Sequence, residues 1–234
     1  MNAPTILAWE TTSACNLECL HCRASATPEP RPGELSTAEG RSLLEEVARA
    51  GTKMVILSGG ESLMRDDLFE LARHGTSLGL RMTLATNGSL ITAETVIEMK
   101  KAGIARVSVS LDGVTAQMHD RFRGRGGAFD LAVEGIGTLV RKGVPVQVNT
   151  TVAAMNIAQM ADFPTFLERL GVMAWHVFFL VPTGRGVDLE PAAILEYKGM
   201  LDAFYQVYKA SRIECKATCA PQFYRLLADK SAPV

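Results

Sequence analysis

Residues 13–22 read SACNLECLHC and place Cys15, Cys19 and Cys22 at spacings of four and three. The whole chain has five cysteines, so most of its thiols sit in one short stretch. Soft thiolates select iron–sulfur clusters or zinc. A structural zinc ion takes four protein ligands, typically paired C-x-x-C or Cys/His sets. His21 is adjacent to Cys22 and so is an awkward fourth ligand for the same ion. Three cysteines on a cluster of four irons would leave one iron open. An open coordination position is where a substrate or cofactor binds.

Six further stretches carry polar chemistry. In SGGES (58–62), Gly59 and Gly60 let the backbone approach a ligand closely, and Glu61 offers a carboxylate to an ammonium group. TNG (86–88) contributes Asn87, although Asn87-Gly88 also makes a plain turn. In SLDG (110–113), strand alternation points Ser110 and Asp112 to one side, while Asp112-Gly113 is equally a turn. NTT (149–151) adds Asn149, and VPTGRG (181–186) adds Val181 and Arg185. The stretch HDRFRGRGG (119–127) reads as a basic loop with His119, Arg121, Arg123 and Arg125, and guanidinium forks suit carboxylates.

These stretches need a frame that brings them together, and the hydrophobic pattern supplies one. Apolar runs at 6–12, 54–60, 81–88, 105–113, 144–152 and 174–182 read as six strands. Helical patterns at 36–51, 66–79, 92–103, 128–143, 158–171 and 189–210 separate and follow them. Ser36 with Glu39 makes a capping box, Thr92 is a cap, and Pro164 breaks or restarts its helix. Glycine closes each helix just before the next strand, the signature of parallel βα units. Six units do not complete an eight-fold barrel. The expected fold is therefore α/β, a partial (β/α)6 barrel in one domain over 1–210, with 211–234 outside the rhythm. In such folds the carboxyl ends of the strands form the active-site face. Each polar motif except the basic stretch follows or ends a strand.

The bulk numbers narrow the function. With 234 residues, 47% hydrophobic and 21% charged, the chain can bury an ordinary globular core. A net charge of -1 gives no electrostatic reason to expect nucleic acid as a partner. No apolar run reaches the length of a membrane span, and no secretory signal is evident. Clustered thiols in an untargeted chain predict a reducing cytoplasm.

C-x-x-x-C-x-x-C after a first strand, followed by GGE after a second, resembles the radical S-adenosylmethionine enzymes. That resemblance implies a 4Fe-4S cluster on Cys15, Cys19 and Cys22, with the open iron chelating the methionine moiety of S-adenosylmethionine. One electron then releases a 5′-deoxyadenosyl radical. It further implies a cofactor-binding set of His21, Gly59, Gly60, Glu61, Asn87, Ser110, Asp112, Arg123, Asn149 and Val181. The family's GGE is usually followed by proline, where this chain has Ser62.

AWETTSACNLECLHCRA, PGELSTAEG, HVFFLVPTGRG and CKATCAPQFYR narrow the resemblance to the alternative heme-biosynthesis branch, the iron-coproporphyrin III decarboxylases and their relatives. Such a branch implies a porphyrin substrate whose propionates become vinyl groups, and a reductase, flavodoxin or ferredoxin as electron donor. Arg23, Arg65, Arg123, Arg125 and Arg185 are then candidate partners for the substrate's carboxylates. Members of the branch carry a C-terminal extension with an auxiliary 4Fe-4S cluster. Residues 211–234, with Cys215 and Cys219, are expected to be its truncated start, and a second 4Fe-4S cluster is expected only if the chain continues. Two alternatives stay open: a peptide-modifying maturase of the same superfamily, and a non-catalytic iron–sulfur or zinc-binding protein.

Overall fold

The structure is a computed structural model that describes residues 4–189 and 194–231. Its sheet has seven strands in sequential order: β1 (Ile6–Glu10), β2 (Met54–Ser58), β3 (Arg81–Thr86), β4 (Val107–Ser110), β5 (Val146–Val152), β6 (Ala174–Phe179) and β7 (Glu214–Thr218). Every neighbouring pair is parallel, and the sheet curls into a partial barrel. The helices α1 (Thr37–Ala50), α2 (Leu68–Ser77) and α3 (Ala93–Lys101) make the first three crossovers. The next crossover contains α4 (Ala116–Arg123) and α5 (Ala128–Arg141), followed by α6 (Phe163–Arg169) and α7 (Ile194–Ala210), with α8 (Pro221–Ser231) after β7. Of the helix expected over 189–210, residues 190–193 lie outside the described residues.

Local chemistry sets the helix ends. Ser36 accepts the N–H of Glu39 while the Glu39 side chain returns to the Ser36 backbone, and Gly51 closes α1 in the left-handed region at φ 100°. Thr92 caps α3 through a reciprocal bond with Thr95. Pro164 falls in the first turn of α6, where its missing N–H costs nothing, so it starts the helix rather than kinking one.

The core lies between sheet and helices. Val55 and Leu57 of β2 are fully buried with Leu44 of α1 and Leu71 of α2, and the same layer continues through Val107, Leu139 and Trp175. Because the outward side chains of each strand fill this layer, the register of each strand is pinned. The carboxyl ends of all the strands therefore share one rim. Among the described residues, no helix is long and apolar enough to cross a membrane.

Two sequence expectations are corrected. The sheet has seven strands, not six, because residues 214–218 pair with β6 in the register Cys215↔Trp175. Alternating charge in ECKAT hides this strand: only Ala217 is buried, at the sheet edge. The basic stretch at 119–127 is not all loop, because α4 runs to Arg123. Thr115 caps that helix, and His119, Phe122 and Arg123, spaced three and four apart, form its buried face.

Candidate active site: the cysteine loop at the strand ends

The chain leaving β1 forms a loop that the rest of the rim holds in place. Thr11 N–H donates to the Ser58 carbonyl at 2.7 Å, and Cys15 N–H to the Thr27 carbonyl at 2.7 Å. Gly60 N–H and Glu61 N–H donate to the carbonyls of Thr12 and Ala14, each at 2.7 Å. This approach requires glycine: a Cβ on Gly60 would lie 2.2 Å from the Ala14 oxygen. From the loop after β6, Gly184 packs against the carbonyls of Cys22 and Arg23, where a Cβ would lie 2.3 Å from each oxygen. Arg185 beside it donates from its backbone N–H to Cys22, from Nε to the Cys19 carbonyl at 2.9 Å, and from Nη1 to the Ala26 carbonyl at 2.9 Å. From the end of α4, Arg125 donates to the Asn16 carbonyl at 3.0 Å.

All five cysteines are free thiols, and Cys15 and Cys19 are buried while Cys22 is half-buried. Each sulfur of the triad faces an N–H donor: Asn87 Nδ2 at 4.0 Å from Cys15, Arg123 Nη1 at 3.6 Å from Cys19, and the Ala26 backbone N–H at 3.3 Å from Cys22. Burial pushes the Cys15 thiol above its usual range, with the neighbouring Cys19, Glu61 and Cys22 adding to the rise against a lowering bond from the Leu17 backbone. Such a thiol is stabilised as thiolate by bonding to a metal centre. Among the described residues no three His, Cys, Asp or Glu side chains converge on one point as a single ion requires. Ligands to different irons of a cluster need no such convergence. The donor set therefore fits a thiolate-bound 4Fe-4S cluster.

The loop opens onto a cleft of about 340 Å³. Eleven of the thirteen site residues named from sequence line it: Cys15, Cys19, Cys22, His21, Gly59, Gly60, Asn87, Ser110, Arg123, Asn149 and Val181. Glu61 and Asp112 do not. Both are fully buried behind the wall. Glu61 accepts the Thr86 hydroxyl at 2.7 Å and the N–H groups of Asn87 and Leu63 at 2.6 and 3.1 Å. Burial still raises its carboxyl above the usual range, because desolvation outweighs those bonds. Asp112 takes the Thr151 N–H at 2.7 Å on Oδ1 and pairs with Arg123 at 2.6 Å on Oδ2.

The two histidines beside this pair are neutral. Burial, then Arg123 and Arg185, push His21 down to about 2, and its ring packs on Phe122 at 4.4 Å. Burial, then Arg123, push His119 down to about 3, and its Nδ1 accepts the Asp112 N–H at 3.0 Å. That bond places any ring proton on Nε2.

The arginines proved hardest to read from sequence. Arg65 donates to the Thr11 and Leu35 carbonyls and pairs with Asp67. Arg125 and Arg185 hold the cysteine loop, so these three are committed to the protein's own groups rather than free for a substrate. Arg23 is exposed on the rim and paired with Glu10. Three features escaped sequence reading. Phe178, Phe179 and Leu180 give the cleft an apolar wall, Cys219 lines it, and Glu34 ties down Ser13. The aromatic pair in HVFFLVP at a strand end was the available signal for the first. Cys215 lies apart from the cleft lining, with its thiol donating to Ser211 Oγ at 3.2 Å.

The profile of the Radical SAM superfamily matches residues 9–170. An AdoMet-dependent heme synthase of Methanosarcina barkeri is 46% identical over 230 residues, which is 98% of this chain and 66% of that protein. The mycofactocin maturase MftC of Mycobacterium tuberculosis is 36% identical over 190 residues, 81% of this chain and 48% of that protein. The chain thus spans less than two thirds of these relatives' lengths. The crystal structure of Streptococcus suis SuiB bound to S-adenosylmethionine superposes with a TM-score of 0.80 at 17% identity, over 95% of this chain and 52% of that one, which shows a shared fold. With a family profile spanning both the cysteine loop and most of the barrel that holds it, this chain belongs to the radical SAM superfamily, whose members work with a 4Fe-4S cluster and S-adenosylmethionine.

Proposed function

We propose that this chain carries the core of an enzyme of heme biosynthesis that oxidatively decarboxylates porphyrin propionates. The observation that carries the reading is the 46% identity to a heme synthase over nearly the whole chain, cysteine loop and cleft wall included. Cys15, Cys19 and Cys22 would hold the cluster. When bound, the cluster and S-adenosylmethionine supply a one-electron reductive cleavage that removes a hydrogen atom from the substrate. The backbones of Gly59 and Gly60 give the methionine end a surface without side chains. Asn87, Ser110 and Asn149 offer polar atoms to the ribose and carboxylate, and the Val181 backbone borders the adenine. The wall of Phe178, Phe179 and Leu180 suits a flat apolar macrocycle, and burying such a surface favours binding by roughly 25 cal/mol per Å². Arg23 is the rim guanidinium whose partner, Glu10, is itself exposed, so a propionate can replace it. A flavodoxin, ferredoxin or reductase in the cytoplasm would supply the electron.

The balance of the reaction is simple. A hydrogen atom from the propionate carbon next to the ring would pass to the 5′-deoxyadenosyl radical, giving 5′-deoxyadenosine. Loss of carbon dioxide, with transfer of the remaining electron to a one-electron acceptor such as an oxidised flavodoxin or ferredoxin, would leave a vinyl group. The test is anaerobic turnover of iron-coproporphyrin III by the reconstituted, reduced chain, with products read by mass spectrometry. Propionates converted to vinyls with carbon dioxide release support the proposal. An unchanged porphyrin alongside modification of a precursor peptide would replace it with the maturase reading that the similarity to MftC favours.

A further inference from the structure

Arg123 touches two groups of opposite meaning. Its Nη1 donates to the Cys19 sulfur at 3.6 Å, and its Nη2 lies 2.6 Å from Asp112 Oδ2. Both charged side chains are buried, with relative exposures of 8% and 0%. The Asp112 contact is close but off the hydrogen-bonding direction, so Coulombic attraction holds it. Asp112 is fixed in turn, because Oδ1 takes the Thr151 N–H and its backbone N–H is tied to His119. The Arg123 guanidinium is therefore set between a cluster ligand and a carboxylate, in a medium where charge interactions are little screened. An arginine cannot deprotonate to relieve this burial. Leaving either partner alone would be strongly unfavourable, so the pair is built to keep a cation on the Cys19 sulfur.

We propose that Arg123, positioned by Asp112, sets the reduction potential of the cluster through the Cys19 sulfur. This rests on the reading that the three cysteines hold a 4Fe-4S cluster. Potentials of such clusters follow net charge, hydrogen bonds to the sulfurs and solvent exposure. Reduction adds one electron, so a cation beside a ligand sulfur favours the reduced form. A carboxylate behind it opposes that effect in part. The two residues therefore act with opposite sign, and a merely structural pair would not.

The experiment is an EPR-monitored redox titration of the anaerobically reconstituted chain, with dithionite as reductant and no S-adenosylmethionine present. Omitting that cofactor removes any contribution from its binding. Iron and sulfide are counted first. Arg123→Gln is expected to lower the reduced-to-oxidised ratio at the wild-type midpoint about tenfold, which is 59 mV for one electron. Asp112→Asn keeps the shape and an acceptor for Thr151, and is expected to raise the ratio several-fold. Arg123→Lys keeps the charge and should stay within about threefold of wild type, while Asp112→Asn is the test that remains if Arg123→Gln does not fold. Unchanged potentials, or shifts of the same sign in the Gln and Asn variants, would overturn the proposal. Wild-type protein without stoichiometric iron and sulfide would overturn it together with the cluster reading beneath it.

Discussion

The Glu61 carboxylate accepts the backbone N–H of Asn87 at 2.6 Å, joining the loop after β2 to the end of β3. The same carboxylate holds Thr86, and the peptide of Glu61 donates to Ala14. Three strand ends are thus tied through one buried residue, two by its side chain and one by its backbone. Glu61→Gln replaces one oxygen with an amide NH2 group, so the backbone N–H of either Asn87 or Leu63 meets another donor. The expected loss is about 1–3 kcal/mol of stability, read as a lower urea midpoint with unchanged slope.

Gly60 tests how tightly that tie depends on close approach. In Gly60→Ala the new Cβ meets the backbone oxygen of Ala14, which has no rotamer to escape into. The loop must move, and a destabilisation of about 2–4 kcal/mol is expected, as for other strained or overpacked sites. Gly79→Ala has open space but a left-handed backbone at φ 80°, so it separates clash from backbone strain. Reconstituted iron content should fall for Gly60→Ala and hold for Gly79→Ala.

Arg185 is predicted to act on cluster assembly rather than on the barrel. Its side chain supplies two bonds to the carbonyls of Cys19 and Ala26 from a residue far along the chain. Hydrogen bonds from charged donors are worth roughly 1.5–3 kcal/mol each. Arg185→Ala should bind substoichiometric iron and sulfide while keeping the far-ultraviolet circular dichroism of wild type. Arg185→Lys should recover part of the loss, since one ammonium cannot reach both carbonyls in the fork geometry.

Glu34 gives a pH dependence of definite sign. Partial burial alone would raise its carboxyl, but the backbone N–H and hydroxyl of Ser13, the Thr12 hydroxyl and the Arg31 N–H outweigh it and hold the group at about 2, from an ordinary 4.5. The folded state then binds the proton less tightly than the unfolded state. Its contribution to stability is complete above pH 4.5 and is lost as pH falls from 4.5 towards 2. The stability gap between wild type and Glu34→Gln should shrink across that window and stay flat from pH 5 to 7, by urea denaturation of the apo chain.

Much of this was legible in the sequence because it is written locally. The strand–helix rhythm, the capping boxes at Ser36 and Thr92 and the three-cysteine spacing each depend on residues within a few positions. The failures depend on long-range partners. Whether Glu61 faces the cleft is decided by Thr86 and Asn87 on the next strand, and Asp112 by Thr151 and Arg123. The role of Arg185 is decided by carbonyls more than 150 residues away. The helix α4 was hidden because a buried His119 and Arg123 read as solvated charge, and β7 because one buried Ala217 is too little pattern for a strand.

On the proposed function, Cys15, Cys19 and Cys22 hold a cluster that works on a porphyrin in the adjoining cleft. The most direct measurement is 5′-deoxyadenosine formed by the reconstituted, dithionite-reduced chain with S-adenosylmethionine, with and without iron-coproporphyrin III. The account predicts formation that rises with the porphyrin and disappears when any one of the three cysteines is replaced by alanine. Formation that ignores the porphyrin would contradict the substrate, and none from a chain with a verified cluster would contradict the chemistry itself.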